Sequence, residues 1–251
     1  MSTQNETKMD LCAKPVSVKV TQLREDLRFL PSSPGSASFV GRGLVTSRKS
    51  FFPGGSGLGL SEESHSKIST IVLGSDWGTL ESFKTAVERN DGDDAVTVDR
   101  TDKLLARADF NVSDCWYSNA WPVLRKGEPE KGYHPMCDDI VFTNACRLFL
   151  RTCIEALSPR LIVTMGKRVA WFVGPLAGER WELANVERCH AVTSKQMAKE
   201  PVERNGIVYA AITHPSLPNE GKRATSERPW SSKHETALLQ EARKMAGIAS
   251  A

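Results

Sequence analysis

The sequence lacks the features that mark several large classes of protein. No apolar run in its 251 residues approaches the roughly 18 residues that a membrane span requires, so a transmembrane protein is excluded. The net charge is only +3, from 33 Lys and Arg against 30 Asp and Glu, whereas a dedicated electrostatic DNA binder is usually more basic. Hydrophobic residues at 40% and charged residues at 25% exclude a disordered, collagen-like or coiled-coil chain. We therefore expect a folded protein that buries a sizeable core.

Cysteine is scarce and scattered, with six residues and no C-x-x-C pair. Cys146 and Cys153 lie seven residues apart on one apolar helix face, which favours core packing over metal or cluster binding. The first eleven residues are polar and carry no apolar segment of a secretory signal. We therefore expect a cytoplasmic protein with reduced, mostly buried thiols and no bound metal.

Three common nucleotide and hydrolase motifs are also missing. No stretch reads G-x-x-x-x-G-K-[ST], which excludes a P-loop, and the glycines at 54–59 do not form a G-x-G-x-x-G after a strand. Residues 54–58, Gly-Gly-Ser-Gly-Leu, lack the last glycine of a nucleophile elbow. The glycines there indicate a loop, because residues 31–61 are rich in Pro, Gly and Ser.

The chain divides at about residue 64. We expect residues 1–64 to form an appendage that is partly loop or disordered, with a short helix around 21–29. Residues 65–251 alternate between apolar, β-branched runs and helical patterns, which predicts one α/β domain.

The periodicity predicts particular elements within that domain. We expect strands at residues 68–73, 115–118, 161–165 and 207–213, and a possible short strand at 95–98. We expect helices at 79–88, at 142–157, from Gly166 through 173, and from Ser232 to about 245. This order predicts a three-layer α/β/α fold with a central, mostly parallel four-stranded sheet.

Polar residues follow the predicted strands at the edge where ligands bind in such sheets. A carboxylate, an amide and an imidazole come after three of them, at Asp76, Asn119 and His214. Lys167 and Arg168 open a predicted helix, where anions are favoured. We therefore expect the functional site at this edge.

Three motifs in this part of the chain resemble those of the uracil-DNA glycosylase superfamily. Gly74-Ser75-Asp76-Trp77-Gly78 resembles its water-activating motif, Ser118-Asn119-Ala120 its pyrimidine-reading asparagine, and His214-Pro215-Ser216 its H-P-S loop. The resemblance covers about residues 67–245. It implies hydrolysis of the bond between uracil, or a related deaminated base, and deoxyribose in DNA, which is a step of base excision repair.

The resemblance implies a role for each residue. Asp76 would orient or activate the water and stabilise the oxocarbenium-like sugar, and His214 would donate a hydrogen bond to the departing base anion. Asn119 offers a donor and an acceptor that can read the edge of a flipped base. The remaining expected contacts to the base are Gly74, Ser75 and Trp77. This chemistry requires no metal or organic cofactor.

The same resemblance implies contacts with DNA. Ser216 would bind a phosphate, and Leu217 would fill the gap left by the flipped nucleotide. Lys222 and Arg223 would contact the backbone. We expect a monomer that binds DNA and no membrane. The family's cluster-bearing branches use four cysteines with an N-terminal pair, and only Cys12 lies near the N-terminus here, so we expect no metal cluster.

The sequence departs from the family in the aromatic residues that surround the base. Trp77-Gly78 stands where the best-known members have Pro-Tyr, which leaves selectivity against thymine open. Phe83 and Phe110 do not match the base-stacking phenylalanine, and Trp77 or Trp121 could stack instead, although Trp121 is more often a packing residue.

Each site residue also has a purely structural alternative. Asp76 could cap the helix near Thr79, Asn119 could serve a turn, and His214 could be an ordinary loop histidine. Ser216 could be a turn hydroxyl, Leu217 an exposed loop leucine, and Lys222 and Arg223 solvated charges. The whole protein could be a non-catalytic nucleic-acid-binding relative, or an unrelated nucleotide-binding hydrolase on a doubly wound sheet.

Overall fold

Aliphatic and β-branched runs form the central sheet of the computed structural model. The structure describes residues 36–37, 51, 68–89, 95–125, 137–177, 201–212, 214–215, 224–225, 228–229 and 232–251. The strands of the sheet are β2 (Thr70–Asp76), β3 (Cys115–Trp121), β5 (Leu161–Met165), β6 (Val202–Arg204) and β7 (Ile207–Ile212). Their order is β3-β2-β5-β7-β6, in which the first four are parallel and β6 is antiparallel to β7. Two further pairs of two-residue strands are present: β1 (Ser36–Ala37) pairs with β4 (Leu124–Arg125), and β8 (Ala224–Thr225) pairs with β9 (Arg228–Pro229).

Among the described residues, five α-helices cover the two faces of this sheet. They are α1 (Leu80–Arg89), α2 (Ala95–Arg107), α3 (Ile140–Leu157), α4 (Lys167–Ala177) and α5 (Ser232–Met245). Buried side chains of α1, α3 and α4 belong to the core on one face, and those of α2 and α5 to the core on the other. The predicted three-layer α/β/α architecture with a mostly parallel sheet is therefore confirmed. None of the helices in these described ranges has both the length and the apolarity needed to cross a membrane.

The sheet has one strand more than the predicted four. The added strand β6 forms a hairpin with β7 through Asn205 and Gly206, whose φ angles are 53° and 75°. Two consecutive residues of positive φ are the signature of a type I′ turn, and Asn-Gly is its preferred sequence. The Asn-Gly pair before residue 207 was thus a usable signal for the strand.

The strand predicted at residues 95–98 is wrong, because these residues begin helix α2. The β-branched composition of this segment favours a strand locally. The buried positions, however, continue at Val98, Thr101, Leu105 and Ala108. These intervals of three and four residues match a helix face, and packing of that face against the sheet decides the structure.

Two described parts of the appendage lie against the domain. Ser36–Ala37 pairs with β4, and Phe51 is 2% exposed with its ring centre 5.0 Å from that of Tyr117. The helix predicted around 21–29 lies outside the described residues. The boundary at residue 64 stays a prediction, since it too falls on undescribed positions.

The cysteines of helix α3 are core residues, as predicted. Cys146 and Cys153 are fully buried among the apolar side chains between α3 and the sheet. Burial raises the pKa of the Cys146 thiol, so it stays protonated and acts as a small apolar group.

Candidate active site

The parallel strands bring the three predicted polar residues to the same edge of the sheet. Asp76 is the last residue of β2, and Asn119 lies on the neighbouring strand β3 with Gly74 as its register partner. His214 follows β7 and packs against Gly166, because its Cβ lies 3.6 Å from the point that a Cβ on that glycine would occupy. Gly166 directly follows β5, and β5 is the neighbour of β2 in the sheet. The imidazole therefore lies at the carboxyl end of the strand next to β2.

Asp76 forms a bidentate ion pair with Arg125 of β4. Its Oδ1 accepts a hydrogen bond from the arginine Nε at 2.6 Å, and its Oδ2 accepts one from Nη2 at 2.8 Å. Oδ1 also accepts the backbone N–H of Gly78 at 2.9 Å. The exposed fraction of the side chain is 1% for Asp76 and 11% for Arg125. The carboxylate therefore lies in a nearly dry environment in which its charge is matched by one guanidinium.

The cap of helix α1 is not Asp76 but Thr79. The hydroxyl of Thr79 accepts the backbone N–H of Ser82 in the first turn, at 3.1 Å. Asp76 instead binds the N–H of Gly78, which precedes the helix and has a φ of 75°. Capping of this helix therefore does not explain the carboxylate.

Asn119 is buried between Gly74 and Phe51. The residue is 4% exposed, and its Nδ2 donates a hydrogen bond to the backbone carbonyl of Phe51 at 2.9 Å. A Cβ on Gly74 would lie 2.5 Å from Oδ1 of Asn119 and 3.2 Å from the ring of Phe51. Only glycine leaves room for the amide at this position, and the bond to Phe51 fixes which way the amide faces.

Phe51, which binds this amide, also packs against a buried tyrosine. The hydroxyl of Tyr117 donates a hydrogen bond to Asp102 of α2, and its ring packs edge-on against Phe51. Burial, with the negative charge of Asp102 as a second cause, raises the pKa of Tyr117 well above its usual value. The phenol is therefore a neutral, structural donor at neutral pH.

We expect Gly74→Ala to lower the free energy of unfolding by about 1–3 kcal/mol, because the added methyl group would collide with the Asn119 amide. Urea denaturation measures this change. In an Asn119→Ala background the collision partner is gone, so Gly74→Ala should be better tolerated there. Equal losses of stability in the two backgrounds would contradict the close approach of these two residues.

Hydrogen bonds from helix α2 and from Gly166 hold the main chain on either side of His214. Nη1 of Arg100 in α2 donates to the carbonyl of Pro215 at 3.1 Å. The N–H of Gly166 donates to the carbonyl of Ile212 at 2.8 Å, and a φ of 87° at Gly166 opens the turn into α4. The half-buried imidazole is thus placed by backbone contacts on either side of it.

The two candidate stacking tryptophans lie in the core. Trp77 is 3% exposed and packs with the core residues on the α3 side of the sheet. Trp121 is fully buried, with its Nε1 donating to the Thr143 hydroxyl and its ring 5.0 Å from that of Phe172. Both rings therefore pack in the core, and the contact of Trp77 with the base stays a prediction. Among the described residues, Phe51 is the aromatic beside Asn119 and Gly74.

The thiol of Cys137 is also buried. Burial raises its pKa to about 11, and the positive charge of Arg168 partly opposes that rise. The negative charge of Asp76 adds to the rise. The thiol is protonated at neutral pH and is therefore a poor nucleophile.

Sequence reasoning missed Arg125 and Phe51. Arg125 lies 49 positions from Asp76, and no local pattern separates it from the other arginines of the chain. Phe51 lies in the appendage, 68 positions from Asn119. Ser75 is half-buried and lies within β2, which continues to Asp76 and not only to the predicted residue 73, and its contact with the base stays a prediction. The four predicted DNA contacts, Ser216, Leu217, Lys222 and Arg223, lie outside the described residues.

No protein-family model matches the chain, and no curated protein matches its sequence. The function is therefore inferred from the residues of the site and from their geometry.

Proposed function

We propose that the protein is a monofunctional DNA glycosylase of the uracil-DNA glycosylase type. It would hydrolyse the N-glycosidic bond of uracil, or of a related deaminated base, and leave an abasic site. The observation that carries this proposal is the placement of Asp76 and Asn119 on adjacent parallel strands, with His214 at the same edge of the sheet. The reaction needs an anion for the sugar, a reader for the base and a donor for the leaving group, and these three side chains supply them.

The environment of Asp76 supports its part in this reaction. When the bond to the base breaks, the sugar acquires positive charge, and a carboxylate in a dry site stabilises that charge far better than one in water. The hydrogen bonds from Arg125 and from the Gly78 N–H hold the carboxylate in one direction. Asp76 can thus orient a water molecule and face the sugar.

The orientation of Asn119 supports uracil as the base. One of its two N–H groups donates to the Phe51 carbonyl, so the amide cannot turn over without losing that hydrogen bond. The fixed amide offers Oδ1 and its second N–H, which match the N3–H donor and O4 acceptor of uracil. Cytosine presents the opposite pattern at these two atoms.

The proposal includes a DNA partner and a simple composition of the enzyme. The substrate is DNA that contains uracil or another deaminated base, held in part by the H-P-S loop and the basic residues after it. The active form is a cytoplasmic monomer, and a reducing compartment agrees with the buried free thiols of Cys115, Cys137, Cys146 and Cys153. The hydrolysis uses no cofactor.

An oligonucleotide assay tests this function directly. The full chain is incubated with end-labelled single- and double-stranded DNA that contains one uracil, and abasic sites are then cleaved with alkali. We expect cleavage at the uracil. We expect no cleavage in the matched control oligonucleotide, which has cytosine at the same position. Release of nucleotide or phosphate without abasic sites would instead indicate a nucleotide hydrolase.

One observation favours a second candidate, a DNA-binding relative without turnover. Both oxygens of Asp76 bind Arg125, and Nδ2 of Asn119 binds the Phe51 carbonyl. Such partners would suit residues that only maintain the fold. Tight binding of DNA without an abasic product, for every deaminated base tried, would establish this alternative.

We expect Asn119→Asp to change the choice of base more than the affinity for DNA. The aspartate has no N–H group, so it loses both the bond to Phe51 and the donor to O4 of uracil. A competition assay between uracil- and cytosine-containing duplexes should show the ratio moving towards cytosine. An unchanged ratio together with a full rate on uracil would show that Asn119 does not read the base.

A further inference from the structure

We propose that Arg125 is a positioning residue that aims the carboxylate of Asp76 at the reacting water. This inference rests on the proposed glycosylase function and adds a residue to its machinery. Arg125 does not touch the substrate in this scheme. It acts through the carboxylate, whose plane and direction it sets.

The pattern of hydrogen bonds leaves one oxygen for the water. Oδ1 accepts two bonds, from Gly78 N–H and Arg125 Nε, and both lone pairs of that oxygen are thereby used. Oδ2 accepts only Nη2 of Arg125 among the described residues, so one of its lone pairs remains for a further donor. We therefore identify Oδ2 as the atom that holds the water.

The guanidinium fixes the orientation of that lone pair. A planar fork that binds both oxygens of a carboxylate prevents rotation of the carboxyl group, which a single point contact does not do. Lysine at this position would keep the charge and lose the second bond. The two-bond geometry of the pair therefore indicates that Arg125 orients the carboxylate of Asp76 in addition to balancing its charge.

The arginine is itself held in place by the main chain. The Arg125 N–H donates to the carbonyl of Gly78 at 2.8 Å, and the Trp77 N–H donates to the carbonyl of Val123 at 3.3 Å. Thr79 and Arg125 also form a parallel bridge. These bonds connect the segment after Asp76 to the strand that carries Arg125. The main-chain positions from which the two side chains extend are therefore fixed relative to each other.

Burial makes the contribution of this pair to orientation testable. Both side chains lie largely away from solvent, so removal of the guanidinium leaves the carboxylate without a partner that binds both of its oxygens. Loss of the arginine should leave the carboxylate free to turn within its pocket. A misplacement of this kind lowers catalytic rates on the order of 10- to 100-fold.

The experiment compares Arg125→Lys and Arg125→Ala with the wild-type chain at saturating uracil-containing DNA. We expect the single-turnover rate to fall on the order of 10- to 100-fold in both variants, with little change in the dissociation constant for DNA. Added guanidinium, well below denaturing concentrations, should restore part of the rate of Arg125→Ala, whereas neutral urea should not. The combined variant Asp76→Asn/Arg125→Ala should gain nothing from guanidinium, because its target carboxylate is gone.

Arg243 provides the matched control. It is also a buried arginine, 6% exposed, but it donates to the carbonyl of Ile248 and lies 4.0 Å from Asp109, at the other edge of the sheet. Arg243→Ala should lower the unfolding temperature and leave the single-turnover rate unchanged. This separates loss of a buried arginine in general from loss of this one.

The outcomes separate the inference from the function on which it rests. A wild-type rate in Arg125→Lys, or a folded Arg125→Ala that guanidinium does not rescue, would overturn the positioning role and leave the glycosylase function standing. A wild-type chain that produces no abasic sites would overturn the function and this role together. If Arg125→Ala does not fold, the rate of Arg125→Lys decides the matter.

Discussion

Replacement of Asp76 by asparagine is expected to lower the single-turnover rate of uracil release on the order of 10³-fold. Asparagine has nearly the same shape but no negative charge, so the site loses its stabilisation of the cationic sugar and its acceptor for the water proton. The affinity for DNA should change little, because a side chain that is 1% exposed contributes little to the encounter with the backbone. Rapid-quench kinetics and fluorescence anisotropy measure the two quantities.

A loss of stability must be separated from this loss of rate. The substitution leaves the buried Arg125 without its countercharge, and breaking such a pair lowers stability by up to about 3–5 kcal/mol. The double variant Asp76→Asn/Arg125→Gln removes both charges and should recover part of that stability without recovering the rate. A rate for Asp76→Asn within about tenfold of wild type would assign the carboxylate to the fold alone.

Much of the framework that places Asp76 could be predicted from the sequence. The runs before Gly74 and Gly166 are apolar and β-branched, as buried parallel strands require, and each ends at a glycine. Because parallel strands end at a common edge, the position of Asp76 and Asn119 at that edge followed from the strand assignments alone. The shared edge is a consequence of topology and needs no knowledge of side-chain contacts.

The partners of those side chains could not be predicted in the same way. The bond from Arg125 to Asp76 spans 49 positions, and the bond from Asn119 to Phe51 spans 68. Periodicity carries information over a few residues, so it cannot select one arginine or one phenylalanine across such distances. The start of α2 failed for a related reason, since tertiary packing overrode the local preference of its valines and threonine for a strand.

Replacement of His214 by alanine is expected to lower the single-turnover rate on the order of 10²-fold, because one hydrogen-bond donor to the departing base anion is lost. His214→Gln keeps a neutral N–H donor and should lose less of the rate than His214→Ala. The loop itself should stay in place in both variants, since it is anchored through the Pro215 carbonyl to Arg100. Chemical-quench measurements at saturating DNA compare the three proteins. If both variants release uracil at the wild-type rate and only their DNA affinity falls, His214 holds the DNA and takes no part in breaking the bond.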